Sequence, residues 1–361
     1  MTDILEYIDR LEGFRQMSNA VRLGKTCAVF GVDTQKIYFA ARLIKTSGKK
    51  AFIVVPDEKR SRAVYEFLDG YCGGAYTFPA KDYTFRDIES SSKFDEDRRI
   101  DALSHIRKRD FNAVIITAAS LTALVRGPEE YKETVLYRAD SASFADTIKN
   151  IEQLGYQRFA EVSGTGQYSV RGGIVDVFPP GEKNPYRIEF FGDDIDSISI
   201  FDADTQRRVE AVDCVRITPA TEYSAEVSAK LRRFLEQHRD NPSAEKELQL
   251  LDSGILPRHD RYLPLYYADP HCILDYVEAN DVLIFFDYEE CRESVDGAEF
   301  RLHSDMQSAA EDGELFVEGQ YAFSMPQIIE KCKSPIIFET FARSLSDFKI
   351  GQIADIQFYP A

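Results

Sequence analysis

Between Tyr168 and Gln206 apolar and polar residues alternate in short runs. Turn-forming residues cut the runs apart at Gly172-Gly173, Pro179-Pro180-Gly181 and Asn184-Pro185. Side chains on a strand point alternately to its two faces, so this pattern predicts a small antiparallel sheet with one face buried. Phe190 and Phe191 are consecutive, and one ring must therefore leave the side on which the other packs. Arg171 and Arg187 lie in the same stretch. An aromatic ring and two arginines on one open face would form a protein-docking surface, because such residues dominate interface energies. The alternative is that both arginines pair internally, with Asp176 or Glu189 across the sheet, and that Phe191 is core. Gly172-Gly173 is expected at a bulge or tight bend, and Gly192 at the turn before Asp193-Asp194.

Residues 25–125 follow a different rule. Short apolar runs at 25–30, 51–55, 75–78 and 112–118 alternate with amphipathic segments at 33–46, 57–68 and 94–108. Strands separated by helices predict a parallel sheet with right-handed crossovers. The character changes near residue 126. Ser143 and Asp146 mark a helix start, and Phe144, Ile148, Ile151 and Leu154 repeat at helical spacing until Gly155. Antiparallel strands over 156–217 complete a separate α+β unit. Residues 221–252 are strongly charged and read as a solvated helical hairpin broken at Asn241-Pro242. Strand character returns at 272–277, 281–287 and 334–341. These late strands are expected to rejoin the first sheet, so that the second domain is an insertion within the first.

Charge bears on the partner. The 361 residues carry 44 Lys and Arg against 61 Asp and Glu, a net charge of -17. A surface that grips phosphates is normally basic, since counterion release drives that binding. DNA binding as the main task is therefore disfavoured, and the acidic surface suits a protein partner with a basic patch. The six cysteines are scattered without a C-x-x-C pair and read as buried free thiols of a reducing compartment. His259 and His271 lack the neighbours of a zinc site, so no metal is expected. No apolar run approaches bilayer-crossing length. Residues 1–14 read as an acidic amphipathic helix, with Ile4, Leu5, Ile8 and Leu11 on one face, and not as a signal peptide. A cytoplasmic chain without membrane contact is expected.

The run RGGIVDVFPP, continuing through PYRIEFFGDDIDSI to FD and TQR, resembles the second domain of the UvrB-homology module at the N-terminus of bacterial transcription-repair coupling factors. The resemblance extends over nearly the whole chain. It implies an α/β fold: a degenerate P-loop NTPase-like (RecA/helicase-like) parallel sheet, an inserted small α+β domain and a helical subdomain. The implied division is 1–125 with 259–361 (1A-like), 126–217 (2-like) and 218–258 (1B-like). It also implies that 126–217 binds UvrA through Arg171, Arg187 and Phe191, onto which the family's site residues fall. Physically, arginine offers bidentate pairing to carboxylates, and Phe191 would be the apolar anchor.

The nucleotide site of such a fold should follow the first strand, at Gly31-Val32-Asp33-Thr34-Gln35-Lys36. A P-loop needs a second glycine and a Lys-Ser/Thr pair, and both are missing; Lys36 is out of register and Asp33 would face the phosphates. Asp287 ends the later strand where UvrB, by the resemblance, carries an Asp-Glu-Ser-His motif. Gly31, Lys36 and Asp287 are thus expected to form an inactive nucleotide site that takes no cofactor. The stretch between 79–99 and 118–124 is too short for the aromatic DNA-inserting hairpin of UvrB, and Tyr83 and Phe85 read as packing residues. No catalytic residues stand out.

The leading functional expectation is a non-catalytic adaptor that recruits UvrA in transcription-coupled nucleotide excision repair. The alternative is an active UvrB-like ATPase or damage-recognition fragment, and a third reading is a weak nonspecific nucleic-acid binder. By the resemblance, RNA polymerase and double-stranded DNA would be held by C-terminal domains of a longer, ATP-driven translocase. The module would also contact that C-terminal part. The FYPA end suggests a truncated piece, or one module, of such a protein.

Overall fold

The computed structural model describes residues 4–86, 93–223, 227–253, 257 and 260–356. Parts of the 79–99 segment and of the 221–252 stretch lie outside the described residues. So do residues 1–3 of the expected first helix, His259 and the FYPA end.

The first third of the chain alternates strand and helix. After a 3-10 stretch at Ile4–Arg10 come α1 (Glu12–Leu23), β1 (Cys27–Phe30), α2 (Lys36–Ser47), β2 (Ala51–Val55), α3 (Glu58–Cys72), β3 (Ala75–Phe78), α4 (Lys93–Lys108) and β4 (Ala113–Thr117). The expected single N-terminal helix is thus two pieces, joined at Leu11. Asp57 caps α3 by accepting from the Arg60 backbone N–H at 2.8 Å, satisfying one orphan donor of the first turn.

The middle third comprises β5 (Thr134–Tyr137), α5 (Phe144–Gln153), β6 (Gln157–Arg158), β7 (Gln167–Arg171), β8 (Ile174–Val177), β9 (Tyr186–Phe191), β10 (Asp194–Phe201), β11 (Arg208–Val212) and β12 (Cys214–Ile217). It is followed by α6 (Val227–Gln237), α7 (Pro242–Asp252) and the single turn α8 (Leu263–Tyr266). The chain returns with β13 (Val282–Phe286), the long α9 (Tyr288–Glu311), α10 (Met325–Lys331), β14 (Ile336–Glu339) and β15 (Gln352–Asp355).

Seven strands form one parallel sheet in the order β15-β1-β14-β13-β2-β4-β3. The fold is therefore mixed α/β; the late strands β13 and β14 lie between the early β1 and β2, and β15 forms the edge beside β1. Strands such as AFIVV are apolar throughout because both faces are covered. Phe52 and Val54 join a core with Phe111, Val114, Ile116 and Phe285, whereas Ile53 and Val55 join one with Phe39, Leu43, Ile284 and Phe338 on the other face. Strands β6 to β11 form a separate six-stranded sheet in the order β11-β10-β9-β8-β7-β6, and β5 pairs with β12. This small sheet is antiparallel except that β6 runs parallel to β7, a departure from the expected all-antiparallel pattern. Ile151 and Leu154 of the α5 region pack on its inner side with Tyr168, Val175, Ile188 and Ile198.

Two other expectations need correction. The 272–277 run is a 3-10 turn (Ile273–Tyr276), not a strand: the Asp275 carboxylate accepts the Cys272 backbone N–H at 2.9 Å and closes the turn. The hairpin of α6 and α7 is not merely solvated. Leu231, Leu235, Ala244 and Leu248 are buried with Tyr262, Leu263 and Tyr266, and Glu247 pairs with the buried Arg261. Helix α7 begins as the sequence suggests, with Asn241 as cap and Pro242 in the first turn. All six cysteines are unbridged; Cys214 is exposed, on the two-stranded β5–β12 ribbon, so not every thiol is buried. Among the described residues no helix is long and apolar enough to cross a membrane, and no cluster could hold a metal ion.

Candidate protein-docking face

The open face of the small sheet is framed by two adjacent tight turns. Arg171 pairs with Ile174 and Phe191 with Asp194, leaving two-residue loops at Gly172-Gly173 and Gly192-Asp193. Gly172 (φ +60°) and Gly192 (φ +67°) occupy the left-handed region that such turns demand. Gly173 serves a different need. A Cβ there would stand 2.8 Å from the Phe190 carbonyl oxygen, because β8 and β9 approach closely at this end. The loops lie side by side since Ile174 pairs with Glu189.

Alternation then sorts the side chains. Tyr168, Val170, Val175, Val177, Ile188 and Phe190 face the inner core. The Phe190 ring lies 5.2 Å from that of Phe144, nearly perpendicular to it. Residues one step away, Ser169, Arg171, Ile174, Asp176, Arg187, Glu189 and Phe191, share the opposite face. Phe191 is 83% exposed. Phe191 is therefore not core.

The arginines meet at one carboxylate. Asp176 stands directly opposite Arg187 in the β8–β9 register and has no solvent exposure. Arg187 donates from Nε to Oδ1 (2.7 Å) and from Nη2 to Oδ2 (2.9 Å), a bidentate fork. Arg171 donates from Nη2 to Oδ2 at 2.6 Å, and its Nη1 lies 3.7 Å from Glu161. The Arg187 guanidinium also stacks over the Phe201 ring, 4.5 Å from its centroid. Burying a carboxylate is costly unless hydrogen-bond donors reach it, and three do so here. Beside this cluster, Ser197 donates to Glu189 at 2.8 Å. The internal pairing with Asp176 is thus real, yet it does not withdraw the face from solvent: the Arg171 side chain stays 42% exposed, against 18% for Arg187.

The other expected site lies at the carboxyl end of the parallel sheet. Gly31 (φ +85°) follows β1, and a Cβ on it would collide with the Ile356 carbonyl oxygen. Ile356 donates its backbone N–H to Phe30 at 3.0 Å, so the end of the β15 segment packs on the loop after β1. Lys36, in the first turn of α2, forms a buried ion pair with Asp287, which follows β13. The cation that could meet a phosphate is bound to the carboxylate that could hold a metal. Around them are Glu339, which accepts the Glu289 backbone N–H at 3.1 Å, and Glu290, paired with Arg60 at 2.7 Å. Burial holds the Glu339 carboxyl above its ordinary range.

The sequence profile described as the UvrB interaction domain matches residues 135–223, which enclose the whole open face. The chain is 23% identical to the transcription-repair-coupling factor of Bacillus subtilis, over 94% of this chain and 31% of that protein. It is 25% identical to the factor of a Staphylococcus aureus strain over 88% of this chain and 29% of the relative. It is 34% identical to the factor of Escherichia coli over 37% of this chain and 12% of the relative. Over most of its length the chain is thus similar to the transcription-repair-coupling factors, and its middle part matches the UvrB interaction domain. It spans less than a third of the length of these relatives.

Arg171, Arg187 and Phe191 share one face of the small sheet, and Gly31, Lys36 and Asp287 gather at one end of the larger sheet. Sequence reasoning missed Phe201, a buried ring that backs the Arg187 guanidinium, and Glu161, which lies beside Arg171. It held Asp176 only as one of two internal partners. The available signal was parity with register: once β8 and β9 are aligned, Asp176 falls opposite Arg187.

Proposed function

We propose that this module is a non-catalytic adaptor that docks UvrA in transcription-coupled nucleotide excision repair. The observation that carries the reading is the coincidence of the UvrB interaction domain match with a solvent-open face bearing Phe191 and the Arg171–Asp176–Arg187 cluster. An exposed aromatic on the same face as ordered guanidinium groups has the composition of an interface centre. The Lys36–Asp287 pair and the packing on Gly31 support an inactive nucleotide site. On this reading the parallel sheet is a scaffold of degenerate P-loop type, divided as 1–125 with 259–361, 126–217 and 218–258. RNA polymerase and double-stranded DNA are partners of other parts of the longer protein.

The test is a calorimetric titration of the module with purified UvrA, run beside the Arg171→Ala variant and an ATP-turnover assay. Binding that the variant weakens, without ATP turnover, supports the adaptor. Measurable turnover, or absence of binding by the folded module, overturns it.

A further inference from the structure

We propose that Asp176 is the positioning residue of the docking face, acting on the partner through the two arginines and not by contact. The inference rests on the UvrA-docking reading above. Asp176 is fully buried, so no partner can reach it. Both of its oxygens are nevertheless turned to the open face, where they receive three donors from two side chains on different strands. Arg187 is held on both sides, by this fork and by the Phe201 ring. Three of its five N–H donors, two on Nη1 and one on Nη2, are left for other groups. Arg171 is held by one nitrogen only, and its other nitrogen lies 3.7 Å from Glu161. A long side chain on a sheet surface loses rotamer freedom on binding, and a contact that orders it beforehand removes part of that cost. One buried carboxylate thus preorganises both guanidinium groups on the face that carries Phe191. Internal pairing and partner docking, which compete when read from sequence, are here two aspects of one arrangement.

The test uses Asp176→Asn, which keeps the side-chain shape but loses the charge and one acceptor oxygen. With the fold verified by circular dichroism, its UvrA dissociation constant should rise about tenfold or more. In the double variant Asp176→Asn/Arg171→Ala, the Asp176→Asn change should cost less than it does alone, because the route through Arg171 is gone and only the route through Arg187 remains. In the free wild-type module, the Arg187 Nε–H should give a resolved, exchange-protected NMR signal, a readout available even if the variant fails to fold. Wild-type affinity in Asp176→Asn beside weakened Arg171→Ala and Phe191→Ala overturns the inference alone, as do fully multiplicative losses or an unprotected Arg187 Nε–H. Wild-type affinity in Arg171→Ala and Phe191→Ala overturns the docking reading and this inference with it.

Discussion

Lys36 and Asp287 form an ion pair at the carboxyl end of the seven-stranded sheet, each side chain about one-tenth exposed (11% and 10%). Asp287 adopts a left-handed backbone (φ 54°), a conformation that aspartate tolerates better than most residues. Breaking a largely buried pair leaves one charge unmatched, so Lys36→Met should cost about 3 kcal/mol, and Lys36→Met/Asp287→Asn should recover most of it. Urea unfolding of the single and double variants measures both. If the pair has replaced nucleotide, about 5 mM ATP with magnesium should leave the wild-type midpoint unmoved, whereas a ligand at about 100 times its Kd would add about 2.7 kcal/mol.

Phe190 and Phe191 should separate stability from binding. Phe191→Ala removes an exposed ring and should change unfolding by less than about 0.5 kcal/mol while weakening UvrA binding by about 1–3 kcal/mol. Phe190→Ala removes the ring that packs edge-on against Phe144 and should destabilise the module by about 1–3 kcal/mol. Thermal melts paired with titration calorimetry report both quantities. A large loss of stability in Phe191→Ala would make that ring structural.

What the sequence made legible was periodicity. The strands at 51–55 and 75–78 and the helix over 94–108 stand near their expected positions, because each carries its own pattern. Strand parity also required the consecutive Phe190 and Phe191 to point to opposite sides, and Phe190 packs inward while Phe191 is exposed. The failures concern groups whose role depends on a local cap or on a distant neighbour. CILDYV is a short apolar run that fits a strand or a buried turn equally well, and the Asp275 contact that decides it is a capping detail. The hairpin's Leu231 and Leu235 sit four apart among charges, and only the tertiary packing against Tyr262 and Tyr266 reveals the buried side. Asp176 became the hub of the docking face through strand register, which composition does not encode.

A buried charge network gives a pH prediction. Glu222 accepts from Arg99 Nε at 2.6 Å, and Lys81 bridges Glu222 (3.5 Å) and Asp260 (3.2 Å). Burial alone would raise the Glu222 carboxyl, but Arg99 and Lys81 outweigh it and hold it below its ordinary 4.5. Burial dominates at Asp260, which stays above its ordinary value despite Lys81. The Glu222 contribution is therefore present above pH 4.5 and lost as pH falls through the lower folded value. Asp260 works in the opposite sense, since acidification relieves its cost. Glu222→Gln should destabilise by about 3 kcal/mol at neutral pH, leaving Arg99 and Lys81 short of a partner. The gap between variant and wild type should narrow steadily below pH 4.5 in urea titrations. A gap that does not change with pH would show that the charge of Glu222 contributes nothing.

The helical hairpin supplies the last prediction. Leu235 of α6 has no solvent exposure and shares a core with Ala244 and Leu248 of α7 and with Tyr262. A solvated hairpin would lose almost nothing on truncation of one leucine, whereas a buried leucine loses its transfer energy and leaves a cavity. Leu235→Ala should therefore cost about 2–5 kcal/mol. Lys230→Ala, on the same helix and exposed, should stay within about 0.5 kcal/mol. Denaturant midpoints of the two variants, measured together, decide whether the hairpin belongs to the main core. A cost below about 1 kcal/mol for Leu235→Ala would return it to the surface.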